Sequence, residues 1–265
     1  FSLRKAEGGF LLGCVADDFT GASDAASFLV KAGVNTMLFN GVPKDTDLMG
    51  NCSAAVIALK TRNMEPKAAV NDTRRAFRWF CECGAKQFYF KYCSTFDSRK
   101  DGNIGPTIDS ALEDYGERYT VLCPALPVNR RIVQDGKLLV DGVPLDQGHM
   151  KNHPLNPMWD ADLAKLMEPQ GKYACLPISQ ALLHKSKAEI KLHVENFAQH
   201  HEHFYVIPDY VTEDDGAKIV EVFGELRLLT GGSGLLAPLG RKYKLQGDLP
   251  AQEPLVGGVT GRGII

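Results

Sequence analysis

Apolar residues fall in short unbroken runs, separated by stretches where they recur every three or four positions. Phe10 to Ala16 is the first run and reads as a buried strand. After Asp17-Asp18, the residues Ala22, Ala25, Ala26, Leu29 and Val30 share one helix face, with Gly33 where a C-cap glycine belongs. Further strands are predicted at Val34 to Asn40, Ser53 to Leu59, Gln87 to Tyr92 and Tyr119 to Cys123. Pro66 suits a first helical position, and Ala69, Thr73, Ala76, Phe77 and Phe80 follow at helical spacing. Ile104 to Tyr115 is a second such helix, closed by Gly116. Arg131 to Gln134 and Lys137 to Val140 flank Asp135-Gly136, a tight-turn hairpin signal. Gly148 to Trp159 is irregular. Alternation then resumes: a strand at Tyr173 to Pro177, one long helix from Ser179 to about His200, a strand at Phe204 to Pro208, a helix at about Glu213 to Phe223, and a strand at Leu226 to Thr230. The predicted fold is a three-layer α/β sandwich with a mostly parallel, Rossmann-like sheet and a β-hairpin insertion.

Composition narrows the function classes. The 265 residues carry a net charge of −2, which gives no electrostatic case for nucleic acid or an anionic membrane. No apolar run approaches the roughly 20 residues of a membrane span. Phe1 to Gly9 resembles neither a signal peptide nor a native start. The seven cysteines are scattered, without a C-x-x-C, and fit a reducing cytoplasm better than disulfides or zinc. The stretch from Gln246 onward is Gly- and Pro-rich and reads as a linker, so a domain is expected over 10–245 and a linker over 246–265.

Polar clusters follow the predicted strands. Asp17 and Asp18 come after the first, Thr61 and Arg62 after the third, and Ser94, Thr95 and Asp97 after the fourth. Asn129 and Arg130 follow the fifth, and Gly231-Gly232-Ser233-Gly234 the last. In a parallel sheet those ends share one edge, where ligands bind. Carboxylates, guanidinium groups and hydroxyls gathered there suit a small polyhydroxylated acid, since arginine grips a carboxylate bidentately. Asp18 or Thr20 could instead cap the first helix. Lys91 sits among aromatics and either snorkels or contacts an anion. The Gly231 to Gly234 turn resembles an anion cradle but lacks the G-K-[ST] of a Walker A motif. His200, His201 and His203 fit a helix C-terminus better than a metal site, and none is assigned; His149 and His153 are open to a substrate or proton-transfer role.

Five segments in this order resemble the four-carbon acid sugar kinase family. They are Ala16-Asp17-Asp18-Phe19-Thr20-Gly21-Ala22; Lys91-Tyr92-Cys93-Ser94-Thr95-Phe96-Asp97-Ser98 with Gly102-Asn103-Ile104-Gly105-Pro106; Cys123-Pro124-Ala125-Leu126-Pro127 with Asn129-Arg130; His153-Pro154-Leu155-Asn156-Pro157-Met158; and Gly231-Gly232-Ser233-Gly234. The second is most similar to the 3-oxo-tetronate kinase branch. The resemblance implies an acid-sugar-binding N-terminal domain, normally followed by a nucleotide-binding domain that this sequence does not contain. It implies substrate contacts at Asp17, Asp18, Arg62 and Lys91 to Ser94, including Tyr92 and Cys93. Asp17, Asp18 or Asp97 would orient or deprotonate the accepting hydroxyl. The implied reaction is ATP-dependent phosphorylation of 3-oxo-tetronate to its 4-phosphate. ATP and Mg²⁺ would be held outside this chain, which alone is expected to be inactive.

Two other readings compete. A receiver-like phosphoacceptor domain also places acids after its first strand, but it needs an aspartate ending the third, where this chain has Lys60-Thr61-Arg62. A non-catalytic sugar-acid-binding fragment or truncated gene product shares every binding feature and differs only in lacking a nucleotide motif. The partner in each kinase-like reading is a small sugar acid, with a homodimer left open.

Overall fold

A computed structural model of the chain describes residues 10–45 and 52–249. Its elements run β1 (Leu12–Ala16), α1 (Phe19–Lys31), β2 (Thr36–Asn40), β3 (Ala54–Ala58), α2 (Pro66–Glu82), β4 (Gln87–Lys91), α3 (Ile104–Tyr115) and β5 (Tyr119–Cys123). There follow β6 (Arg131–Gln134), β7 (Lys137–Val140), β8 (Val143–Pro144), α4 (Leu163–Met167), β9 (Ala174–Ile178), α5 (Gln180–Leu183) and α6 (Lys187–Ala198). The last are β10 (Phe204–Pro208), α7 (Glu213–Phe223), β11 (Leu228–Gly231) and α8 (Leu236–Gln246).

Eight strands form one parallel sheet in the order β2-β3-β1-β4-β11-β5-β10-β9. β1, β3, β4, β10 and β11 are buried along their whole length, as a sheet covered on both faces requires. Gly13 turns toward Phe80 of α2, while Lys91, in the alternate register, turns toward Gly21 of α1. α1 and α2 therefore lie on opposite faces. β1 connects outward to β2 on one side, whereas β3 crosses to β4 on the other, so the chain switches direction at β1. Open α/β sheets bind ligands in the crevice at such a point. Register makes that edge level: Ala16 lies opposite both Ala58 and Lys91, and Gly231 opposite both Lys91 and Cys123.

The hairpin at Asp135-Gly136 forms as expected and gains a third strand, β8. It is tied to the main body. Buried Asp209, just beyond β10, accepts from the backbone N–H groups of Asp135, Gly136 and Gln180, each at 3.0 Å. Elsewhere, buried Asp109 of α3 accepts from the Tyr205 hydroxyl and, at 3.0 Å, from the Lys172 N–H. β9 forms one edge of the large sheet and carries Pro177.

Two helical expectations need correction. The single helix from Ser179 to about His200 is two, α5 and α6. Ser186 and Glu189 form a capping box, a start signal inside what reads as one continuous helix. α8 was not expected; its buried Leu236, Leu239 and Tyr243 form a helical stripe. Gly247, at φ 72°, ends it, and of the predicted linker residues 250–265 lie outside the described residues, as does Phe1 to Gly9. Among the described residues no helix is long and apolar enough to cross a membrane.

Candidate functional site

Asp17 is the first residue beyond β1. Its N–H donates to the Lys91 carbonyl at 3.0 Å, and its carbonyl accepts from Thr61 N–H at 2.9 Å and Arg62 N–H at 3.2 Å. The backbone ladder thus outruns the strands and sets the loop after β3 beside the loop after β1. Across this junction Arg62 Nε donates to Asp17 Oδ2 at 3.0 Å, and Nη2 donates to Oδ1 at 2.8 Å. Nη2 also lies 2.8 Å from Asp18 Oδ1. Side-chain exposure is 3% for Asp17, 18% for Arg62 and 26% for Asp18. Burial pushes the Asp17 carboxyl above the ordinary carboxylate range, against the opposing pull of Arg62. Burial alone would lower the Arg62 pKa, but its hydrogen bond and charge contact with Asp17 prevail and raise it. Arg62 therefore stays protonated throughout the working pH range. Two carboxylates and one guanidinium leave the group with one net negative charge when all are ionised.

Asp18 is also the N-cap of α1, accepting from Gly21 N–H at 2.8 Å; Thr20 is not the cap. Lys91 ends β4 and is buried, so it does not snorkel. Its Nζ donates to the Tyr92 carbonyl at 2.9 Å, and no ion pair joins it to a carboxylate among the described residues. The Asp17 carboxylate acts on Lys91 only from beyond ion-pair distance, so the remaining N–H donors of Nζ are open to an anion.

The rest of the loop after β4 divides. Tyr92 is wholly buried, with its ring edge-on to Phe96 and its hydroxyl 3.4 Å from Thr230 Oγ1, so it supports the core and presents no surface to a ligand. Phe96 holds a left-handed backbone (φ 48°) while its ring fills the core. That is an uncommon conformation for a bulky residue. Cys93 and Ser94 are half-buried, and Cys93 Sγ lies 3.0 Å from Oγ1 of buried Thr95. Asp97 stands apart from the Asp17–Arg62 group. Asn156 Nδ2 donates to Asp97 Oδ1 at 2.7 Å and to Asn63 Oδ1 at 3.0 Å. His153 Nδ1 accepts from Asn156 N–H at 3.1 Å and lies 3.7 Å from Asp97 Oδ1. The irregular segment is thereby fastened to the loops after β3 and β4.

Asn129 and Arg130 are exposed; Arg130 lies 3.5 Å from Asp141, and neither touches the Asp17–Arg62 group. The Gly231 to Gly234 turn is dominated by packing. A Cβ on Gly231, Gly232 or Gly234 would overlap the carbonyl oxygen of Cys123, Pro124 or Ala125 respectively. Tyr89 and Tyr210 hydroxyls donate to the Gly232 and Gly234 carbonyls at 2.6 and 3.0 Å. Buried Ser233 donates to Asp24 of α1, a carboxylate that would oppose a phosphate. The expected anion cradle is thus a close contact between β11 and β5. Among the described residues no group of three His, Cys, Asp or Glu side chains could hold a metal ion. α6 ends at Ala198, before the three histidines; His203 Nδ1 pairs with the Glu117 carbonyl at 2.9 Å, at the opposite edge of the sheet.

Residue patterning alone missed Asn103, Asn156 and Asp24. Buried Asn103 donates from Nδ2 to the carbonyls of Thr61, Arg62 and Met64 at 2.7, 3.3 and 3.0 Å, bracing the Arg62 loop. Its place next to the α3 start reads as a cap, yet its side chain makes no capping bond.

Comparison with known proteins shows the family and agrees with the fold. The family model of the sugar-binding N-terminal domain matches residues 12–239. A Haemophilus influenzae protein named 3-oxo-tetronate kinase is 44% identical over 227 residues, covering 85% of this chain and 54% of its own length. A Brucella melitensis protein of the same name is 39% identical, covering 96% of this chain and 58% of its own. The chain spans little more than half the length of these relatives. A solved H. influenzae structure superposes with a TM-score of 0.83 at 43% identity, covering 89% of this chain and 56% of that one. A Bordetella bronchiseptica structure, a domain-swapped dimer with bound citrate, gives 0.72 at 28%, covering 89% and 58%.

Proposed function

The chain belongs to the family of sugar-binding N-terminal domains, and from that premise we propose that it is the acceptor-binding part of a four-carbon acid sugar kinase. In this reading it holds 3-oxo-tetronate for phosphorylation to the 4-phosphate, the activity named for its relatives. The carrying observation is Lys91, buried at the level strand ends with no carboxylate within ion-pair distance among the described residues, and separated from Arg62 by Asp17. Arg62 Nη1 enters none of the bonds described above. Together these two cations suit a substrate carboxylate, and the acid pair suits hydroxyls. Citrate in the Bordetella structure fits the same preference for small hydroxy acids. Cys93, Ser94 and Thr95 would line the cleft, and Asp97 with His153 its outer wall.

ATP and Mg²⁺ supply the transferable phosphoryl group and its charge neutralisation in kinases generally. The Gly231 to Gly234 turn does not fit the triphosphate, because neighbouring backbone fills it. We propose that ATP and its Mg²⁺ are held by residues other than those described. The chain's own work is to bind the acid, fix its orientation and take up the hydroxyl proton at a carboxylate. Free thiols throughout fit a cytoplasmic setting. The Bordetella dimer makes self-association worth measuring.

Calorimetric titration of 3-oxo-tetronate into the chain tests the reading. Saturable binding that Lys91→Met removes is expected. Absence of binding by the unmodified chain would overturn it.

A further inference from the structure

The two adjacent aspartates do different work. Resting on the sugar-acid reading, we infer that Asp17 and Asn103 are positioning residues for Arg62, and that Asp18 is the aspartate of the pair that meets the substrate.

Asp17 is buried and committed to Arg62. Both its oxygens face Arg62, its N–H and carbonyl are held by Lys91, Thr61 and Arg62, and its side chain is 3% exposed. What it does is fix a plane. The guanidinium fork is rigid, so engaging the Nε–Nη2 edge determines where Nη1 points. Asn103 completes the bracing from the opposite side. An asparagine beside a helix start ordinarily caps it. Asn103 instead gives its Nδ2 to three carbonyls of the loop that carries Arg62. Asp17 thus holds the Arg62 side chain and its N–H, and Asn103 holds its carbonyl. Asp18 is arranged otherwise. Its Oδ1 serves Gly21 N–H and Arg62, while its Oδ2 enters none of the described bonds and its side chain is the most exposed of the three.

The test compares 3-oxo-tetronate with 3-oxobutanoate, which keeps the carboxylate and ketone and lacks both hydroxyls. Asp17→Asn should weaken both acids by the same factor, about tenfold for a lost charge-assisted contact. It should have no further effect in an Arg62→Ala background, because it acts through Arg62. Asp18→Asn should weaken 3-oxo-tetronate about tenfold more than 3-oxobutanoate, abolishing discrimination. Discrimination lost in Asp17→Asn but kept in Asp18→Asn would overturn the assignment, as would additivity of Asp17→Asn with Arg62→Ala. Should Asp17→Asn not fold, Asn103→Ala enters the same cycle with the same expectation. A ligand-free readout separates this inference from the sugar-acid reading. The Arg62 Nε–H resonance should exchange slowly with solvent in the unmodified chain and in Asp18→Asn, and quickly in Asp17→Asn. Equal exchange in all three would refute the positioning role. If the unmodified chain binds neither acid, the sugar-acid reading falls, while the exchange data still decide what holds Arg62.

Discussion

Gly21 and Lys91 face each other across the first turn of α1: a Cβ on Gly21 would stand 2.9 Å from the lysine Nζ and overlap Asp18 Oδ1. The glycine is what lets a buried ammonium and a capping carboxylate share that turn. Gly21→Ala is expected to displace both, weakening 3-oxo-tetronate at least about tenfold in calorimetry. An unchanged affinity would show that neither group meets the ligand.

Arg62→Ala should cost about 3–5 kcal/mol of stability, because it strands the buried Asp17 carboxylate without a partner. Arg62→Lys should recover part of this, since an ammonium restores charge but not the two-point fork. Urea unfolding measures both. A loss below about 1 kcal/mol for the alanine variant would mean the pair behaves as an ordinary surface ion pair.

Gly232→Ala should destabilise the chain by about 1–3 kcal/mol with no ligand present, since the new methyl meets the fixed Pro124 carbonyl. A turn that existed only to hold phosphate would accept alanine without a change in melting temperature, and that outcome would reinstate the cradle.

Asp109 gives a pH prediction. Burial raises its pKa from 3.8 to about 6, outweighing the Tyr205 and Lys172 hydrogen bonds that favour ionisation. The folded state therefore holds this proton more tightly than the unfolded state. The group's contribution is most favourable below about pH 4 and is lost as pH rises through 6, by about 2–3 kcal/mol. Asp109→Asn should flatten that part of the stability–pH curve, seen as melting temperatures between pH 4 and 7. A wild-type curve without the fall would contradict it.

Supplied with ATP, Mg²⁺ and 3-oxo-tetronate, the chain should release no ADP above background. Without a triphosphate site the gain from holding two reactants together, up to about 7–11 kcal/mol, is not available. Turnover near about 1–100 s⁻¹ would reveal a nucleotide site among its residues.

Local chemistry explains which features were legible in the sequence. Gly116 and the Asp135-Gly136 turn mark their elements because left-handed backbone is written in residue type; both glycines have positive φ. The strand-end rule put Asp17, Asp18, Arg62 and Lys91 at one edge of the sheet because parallel register levels those ends. The same rule brought in Asn129 and Arg130, which the chain carries away into the exposed start of the hairpin. It could also have marked Asp209, an acid directly after an apolar strand, whose role is to hold a turn. What no pattern reveals is partnership between distant residues. Arg62 reads as a free clamp until Asp17 is seen gripping it, and Asn103 reads as a cap until its amide is traced to residues 61–64. Ser186 and Glu189 were legible as a capping box and were masked by the apolar run around them.

Pro177 stands on β9, at one margin of the large sheet. A proline has no amide hydrogen, and within sheets it is tolerated where that missing donor would have faced outward. A further strand laid against β9 would find a gap in the row of donors it needs. The margin is therefore less receptive to growth by its own covalent chemistry, which disfavours two copies of this domain fusing their sheets there into a continuous ribbon. The opposite margin, β2, contains no proline, so protection from edge-to-edge aggregation has to be sought in other features on that side.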